Sequence, residues 1–165
     1  MSASPRFGFL LLAPGQASKE VTANEALLTL ETITAAAVEE PPRSSPPASP
    51  AEGECYIVAA SPTGAWAGQA GKLAAYTGGG WRFVTPTPGL GAFVKSTATT
   101  ASYVGGAWEL GSVRASRLLV DGEQVVGAQA SAIADPSGGT TIDAQARTAL
   151  GAILTALRTH GLIAT

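Results

Sequence analysis

The sequence predicts an α+β fold, with a helix near each end and glycine-rich β-hairpins between them that form a small antiparallel sheet. Three observations predict it. Apolar residues recur at helical spacing in two stretches, Val21 to Val38 and again after Thr140. Between them, AAYTGGGWRF (74–83) returns as the similar phrase ASYVGGAWEL (101–110), with its Tyr, Gly-Gly and Trp at the same positions, each phrase centred on glycines of the kind that tight hairpins use. Charged residues make up only 13% of the chain, against about 25% in an average soluble domain. So few charges leave much of the surface neutral or covered by other copies, and the expected assembly is a parallel homotrimer. The chain divides into an N-terminal strand and helix (1–40), a proline-rich connector (41–53), a β-hairpin region (54–130) and a C-terminal trimerisation helix (131–165).

At the N-terminus, Phe7 to Ala13 is apolar and follows a single Arg6. The run is too short to span a bilayer, no small-x-small cleavage site follows it, and Pro14-Gly15 breaks it. It reads as a buried strand rather than a signal peptide, so the protein is expected to be made in the cytoplasm, without membrane insertion. Thr22 and Glu25 have the spacing of a capping box. Leu27, Leu30, Ile33 and Ala37, widened by Leu28 and Val38, then form an apolar stripe opposite Glu25, Thr29, Glu31 and Thr32. Five prolines in PPRSSPPASPAEG (41–53) exclude helix and central strand. That connector is either a floppy linker or an extended strip laid along a neighbour. Cys55 is the only cysteine, so no intrachain disulfide forms; its place in CYIVAA suits a small buried hydrophobe. Trp66 follows in a glycine-rich loop.

In the repeated phrase, a two-residue turn at Gly78-Gly79 sets Thr77 against Gly80 and Tyr76 against Trp81. The same construction at Gly105-Gly106 sets Val104 against Ala107 and Tyr103 against Trp108. Each Tyr–Trp pair then clamps the register, contributing roughly 0.2–1 kcal/mol beyond an Ala–Ala pair. A lone hairpin is marginal in water, so these aromatics are expected to pack as core. The competing reading is a glycan-binding surface made of Trp66, Tyr76, Trp81, Tyr103 and Trp108, whose flat rings would stack on sugar faces. The 27-residue offset between the copies suits a repeating unit of a β-rich shaft. A third hairpin is signalled by Asp121-Gly122.

For the C-terminal helix, Thr140, Thr141 and Asp143 compete as N-cap. Ile142, Ala146, Ala149, Ile153 and Ala156 form one seam, and Leu150, Leu154 and Leu157 form an adjacent row. Gly161 is placed for a left-handed C-cap, after Arg158 and His160 in the last turn. Such a helix is marginal alone, whereas burying Leu150, Ile153, Leu154 and Leu157 would contribute roughly 6–12 kcal/mol. A seam this wide suits a parallel bundle of three. The oligomerisation residues are therefore Ile142, Ala146, Ala149, Leu150, Ile153, Leu154 and Leu157.

Catalytic chemistry is not signalled. His160 is the only histidine and suits the negative end of a helix. Without a second histidine or a cysteine cluster, no transition-metal site is expected, and no cofactor motif occurs; GQAGK (68–72) lacks P-loop spacing. Glu39, Glu40, Glu52 and Glu54 flank the connector as solvated charges, Asp121 reads as a turn residue, Asp135 as a loop residue and Asp143 as a cap. Glu109 and Glu123 lie on or beside strands. No carboxylate pair is proposed by its spacing. The net charge of −2, without a Lys/Arg cluster, argues against nucleic acid.

Four segments, APGQASKEVTANEAL (13–27), PPASPAEGECYIVA (46–59), TGAWAGQAGKLAAYTGGGWRFVTPTPG (63–89) and AIADPSGGTTIDAQARTALGAILTALRTHGLI (132–163), together resemble a family of short proteins. That family occurs in phages, prophages and gene transfer agents of alphaproteobacteria and includes a gene-transfer-agent tail-fibre protein. The last segment resembles a module shared by varied phage structural proteins, and residues 95–117 match only loosely. The resemblance implies a virion component made in the bacterial cytoplasm, a trimeric tail fibre or spike that mediates host-surface attachment. Its partners would be its own copies, other tail or baseplate proteins and a host cell-surface glycan. A monomeric glycan-binding module is the alternative, and an envelope-polysaccharide hydrolase a remote one. No catalytic residue comes with the family.

Overall fold

A computed structural model of the chain describes residues 3–5, 7–140 and 143–164. The fold is α+β and divides into two compact units, Met1–Ser112 and Val113–Thr165.

In the first unit, helix α1 (Lys19–Ile33) precedes seven strands: β1 (Ala37–Val38), β2 (Cys55–Ile57), β3 (Leu73–Thr77), β4 (Gly80–Val84), β5 (Gly91–Val94), β6 (Thr99–Val104) and β7 (Ala107–Leu110). They make two sheets, one in the order β1-β5-β6-β7 and one in the order β2-β3-β4. All pairings are antiparallel except β1 with β5. Because side chains alternate across a strand, one face of β2-β3-β4 supplies Cys55, Ile57, Leu73, Ala75 and Val84. These meet Val38, Ala92, Val94 and Ala101 of the other sheet in one core. The opposite face of β2-β3-β4 supplies Tyr56, Ala74, Trp81 and Phe83 to a second core under Trp66. The three-stranded sheet is therefore covered on both faces.

The N-terminal expectations need correction. Phe7 to Ala13 is no buried strand: Leu10, Leu11 and Leu12 are about half exposed, and only Phe7 packs on the core. Helix α1 starts earlier than the supposed capping box, with Ser18 as N-cap and no side-chain cap. Thr22 is buried inside the helix and accepts a hydrogen bond from Gln16 Nε2 at 2.8 Å, while Glu25 pairs with Arg82 of β4. A long-range ion pair has taken the residue that local spacing assigned to the cap. The helix also stops five residues short of Val38. Thr34 turns extended and Ala35 adopts φ 52°, so that Ala36 O and Val38 O accept from Phe93 N and Lys95 N at 2.8 and 2.9 Å. Joining the sheet buries Val38 completely, which outweighs the helix preference of an alanine run. Leu27 and Leu30 of the expected stripe are exposed, whereas Ile33 packs on the core.

The connector is an extended strip rather than a floppy linker. Arg43 N donates to Ile57 O at 3.2 Å and Ala59 N donates to Arg43 O at 2.8 Å. The Arg43 guanidinium lies 5.8 Å from the Tyr56 ring centre and bonds Glu40 at 2.6 Å. Glu39 pairs with Lys95 at 2.6 Å, and Glu54 accepts from the Tyr56 hydroxyl at 2.9 Å. Glu39, Glu40 and Glu54 are thus bonded groups, not merely solvated charges.

In the second unit, strands β8 (Leu118–Val120) and β9 (Glu123–Val126) pair around Asp121-Gly122, both in the left-handed region at φ 50° and 85°. This is the hairpin that Asp-Gly predicts. Helix α2 (Ala144–Thr159) is capped by Asp143, whose side chain accepts from Ala146 N at 2.8 Å. At its end Leu162 N bonds Leu157 O and Gly161 N bonds Arg158 O, both at 3.0 Å, with Gly161 at φ 71°. That is a Schellman ending, and it satisfies two otherwise unpaired carbonyls. Arg158 also pairs with Asp135 at 3.1 Å.

Candidate functional site

Both repeated phrases fold in the expected register. Tyr76 faces Trp81 and Thr77 faces Gly80; Tyr103 faces Trp108 and Val104 faces Ala107. The ring centres are 5.0 Å apart in the first clamp and 5.4 Å in the second. The turns differ. Gly105 and Gly106 are both left-handed (φ 60° and 89°), whereas in the first hairpin the left-handed residue is Gly80 (φ 92°), one position after the central pair. The third glycine of TGGG relieves Gly78 and Gly79 of that conformation, so one register is reached through two turn geometries.

The clamps also pack in different places. Trp81 lies 5.0 Å from Trp66 and 6.0 Å from Tyr56, and Tyr56 lies 5.6 Å from Trp66. With Tyr76, this is a stack of four rings in tilted and edge-on contact, on the face of β2-β3-β4 turned away from the first core. Trp66, held by the short 3-10 turn Gly64–Trp66, is wholly buried. The suggestion that Trp66 belongs to a glycan surface is therefore corrected, because a ring with no exposed face cannot stack on a ligand. Burial, reinforced by the bonded Glu54 carboxylate, pushes the Tyr56 phenol up to about 12. Burial likewise pushes the neighbouring Cys55 thiol up to about 11, which fits an unreactive core residue.

Tyr103 and Trp108 pack against the core between the two sheets. The Trp108 indole donates to Gly71 O at 2.8 Å, and Gly71 N in turn donates to Val58 O at 2.8 Å. Both rings also line an open groove of about 420 Å³, whose lining includes Pro42, Ala59, Ala60 and Ala70. Pro42, the end of β2, the loop before β3 and the second hairpin all contribute to it. Sequence reading identified the two rings but not the groove, because these segments are distant along the chain. A separate groove of about 500 Å³ lies by the end of α1 and the tip of the first hairpin, lined by charged Glu31, Glu52 and Lys95.

On α2, Ala146, Ala149, Leu150 and Ile153 are exposed, Leu157 is half-buried, and Leu154 is buried. Leu154 is thus engaged inside the chain. Ile142 lies outside the described residues. Among the described residues, no three His, Cys, Asp or Glu side chains converge as a metal set, and no helix is long and apolar enough to cross a membrane.

A family model described as a protein of unknown function, DUF2793, matches residues 23–109. The chain belongs to this family. The DUF2793 match runs from within α1 into β7, so it takes in both clamps and both sheets of the first unit; β8, β9 and α2 lie beyond it. Comparison with curated proteins finds no match.

Proposed function

We propose that this DUF2793 protein is a structural component of a phage or gene-transfer-agent particle, a tail fibre or spike whose copies join through the second unit and which mediates attachment to the host surface. One observation carries the reading. In the second unit, Leu154 and Ile163 are the only buried apolar side chains among the described residues. Against them stand Leu118, Leu119, Val120, Val125 and Val126 on the hairpin and Leu150 and Ile153 on the helix, all between 41% and 55% exposed. A unit with so small a core is marginal by itself, and a two-stranded hairpin with no cover is more so.

Self-association gives every copy a complementary surface. The exposed apolar side chains of this unit sum to an area on the order of 800 Å², comparable with one partner's share of a standard interface. The Ala146, Ala149 and Ile153 seam beside Leu150 suits three parallel helices, its alanines allowing close approach. The exposed Leu10, Leu11, Leu12, Val21, Leu27 and Leu30 of the first unit are where other tail or baseplate proteins would dock. No catalytic role is proposed.

The test is sedimentation and light scattering of the full chain over a dilution series. The expected result is a trimer that Leu150→Asp with Ile153→Asp disperses into monomers, while the near-ultraviolet signal of the aromatic stack persists. A wild-type chain that stays monomeric at every concentration overturns the reading.

A further inference from the structure

We propose that the groove beside the second hairpin is a binding site for a neutral glycan, with Tyr103 and Trp108 as its aromatic wall. The inference deepens the host-attachment reading and rests on it. At about 420 Å³, the groove falls in the range of about 300–1,000 Å³ typical of ligand pockets. None of its lining residues carries a charge. A charged ligand would lose its hydration there without gaining a partner, whereas a neutral sugar loses only hydroxyl solvation, which polar backbone groups replace.

The rest of the lining supplies such groups. Ala60 and Ala70 are exposed and have almost no side chain to screen their peptide groups, each with one backbone donor and one acceptor, whereas Ala59 N and both Gly71 groups are already bonded within the fold. An aromatic face is electron-rich, so it attracts the C–H face of a pyranose ring. Trp108 is already fixed by its 2.8 Å bond to Gly71 O, so little ordering is required on binding. The first clamp differs, since Trp81 spends its contacts on Tyr56, Trp66 and Tyr76.

The experiment titrates the full-length protein with a panel of neutral oligosaccharides (glucans, galactans and mannans), read by calorimetry and by tryptophan fluorescence. At least one is expected to bind, with an affinity insensitive to added salt. Ala60→Arg and Ala70→Arg place a long side chain at the exposed rim without disturbing the core. Each is expected to weaken binding about tenfold or more, the worth of one lost aromatic stacking contact, with an unchanged melting temperature. Absence of binding across the panel, or full affinity in both rim variants, overturns the proposal. The Leu150→Asp, Ile153→Asp protein separates the two readings. Dispersed copies that keep their affinity per site retain the glycan site whatever becomes of the fibre, and trimers that bind no glycan keep the assembly and lose the site.

Discussion

The two Tyr–Trp hairpins share a phrase, a register and a ring separation near 5 Å, yet they do different work. In β3-β4 the clamp completes a four-ring stack that closes the outer face of its sheet. In β6-β7 it packs toward the core between the sheets, anchors to a loop through an indole N–H, and leaves both rings on an open groove. A repeated local motif thus fixes how two strands pair but not what the paired face touches. The third hairpin, β8-β9, extends the contrast: it has a good turn, no aromatic clamp and no buried residue.

The largest expected effect is at Trp66. Trp66→Ala empties the centre of the stack and should cost about 3–5 kcal/mol, measured by denaturant unfolding of the first unit. A cost below that of Trp108→Ala would mean that the outer stack is not the tighter of the two cores. Trp108→Phe is next. It keeps most of the ring but leaves Gly71 O without its donor, and should cost about 1–2 kcal/mol; a neutral outcome would show that the indole bond does not anchor the second clamp.

The smallest and sharpest contrast is between two glycines at matching turn positions. Gly106→Ala forces a side chain into φ 89° and should cost about 1 kcal/mol. Gly79 lies outside the left-handed region, and a Cβ there would meet Arg82 Nη2 at 3.5 Å and Thr77 Oγ1 at 3.8 Å, ordinary contacts. Gly79→Ala should therefore be neutral, or stabilising by about 0.4–1 kcal/mol through the unfolded chain. Equal destabilisation by both would contradict the two turn geometries.

Alkaline pH probes both cores together, because Cys55 faces the inner one and Tyr56 the outer one. Both groups are uncharged when protonated, and folding raises both values, the thiol from 9.0 to about 11 and the phenol from 10.0 to about 12. Above pH 9 the unfolded chain loses these protons first, so stability should be full below that point and decline through pH 11 to 12. Cys55→Ala should shallow the fall above pH 9 and leave the part due to Tyr56. A flat profile between pH 9 and 11 would show that neither group is buried as described.

Much of this was legible in the sequence because it is local. The registers of the two Tyr–Trp hairpins and the turn of the third follow from turn residues adjacent to the strands they join, and the end of α2 follows from a glycine after its last turn. The misreadings share a cause. Glu25 was assigned to a cap three residues away but bonds a strand 57 residues on. Residues 34–38 read as helix because Ala37 and Val38 continue an apolar stripe at helical spacing, but those two residues pair with β5. Trp66 read as a candidate surface ring because flat rings stack on sugar faces, while the far side of the β2-β3-β4 sheet encloses it.

What the sequence determined by itself was therefore the two helices, the hairpins at Gly78-Gly79, Gly105-Gly106 and Asp121-Gly122, and the register of the two Tyr–Trp clamps, since each depends on backbone conformations that a few neighbouring residues impose. Only the tertiary structure decided which face of each hairpin is covered, where α1 yields to a strand, and that four distant segments form a neutral groove. Those outcomes depend on burial, and burial is a property of surfaces meeting, which no single segment specifies.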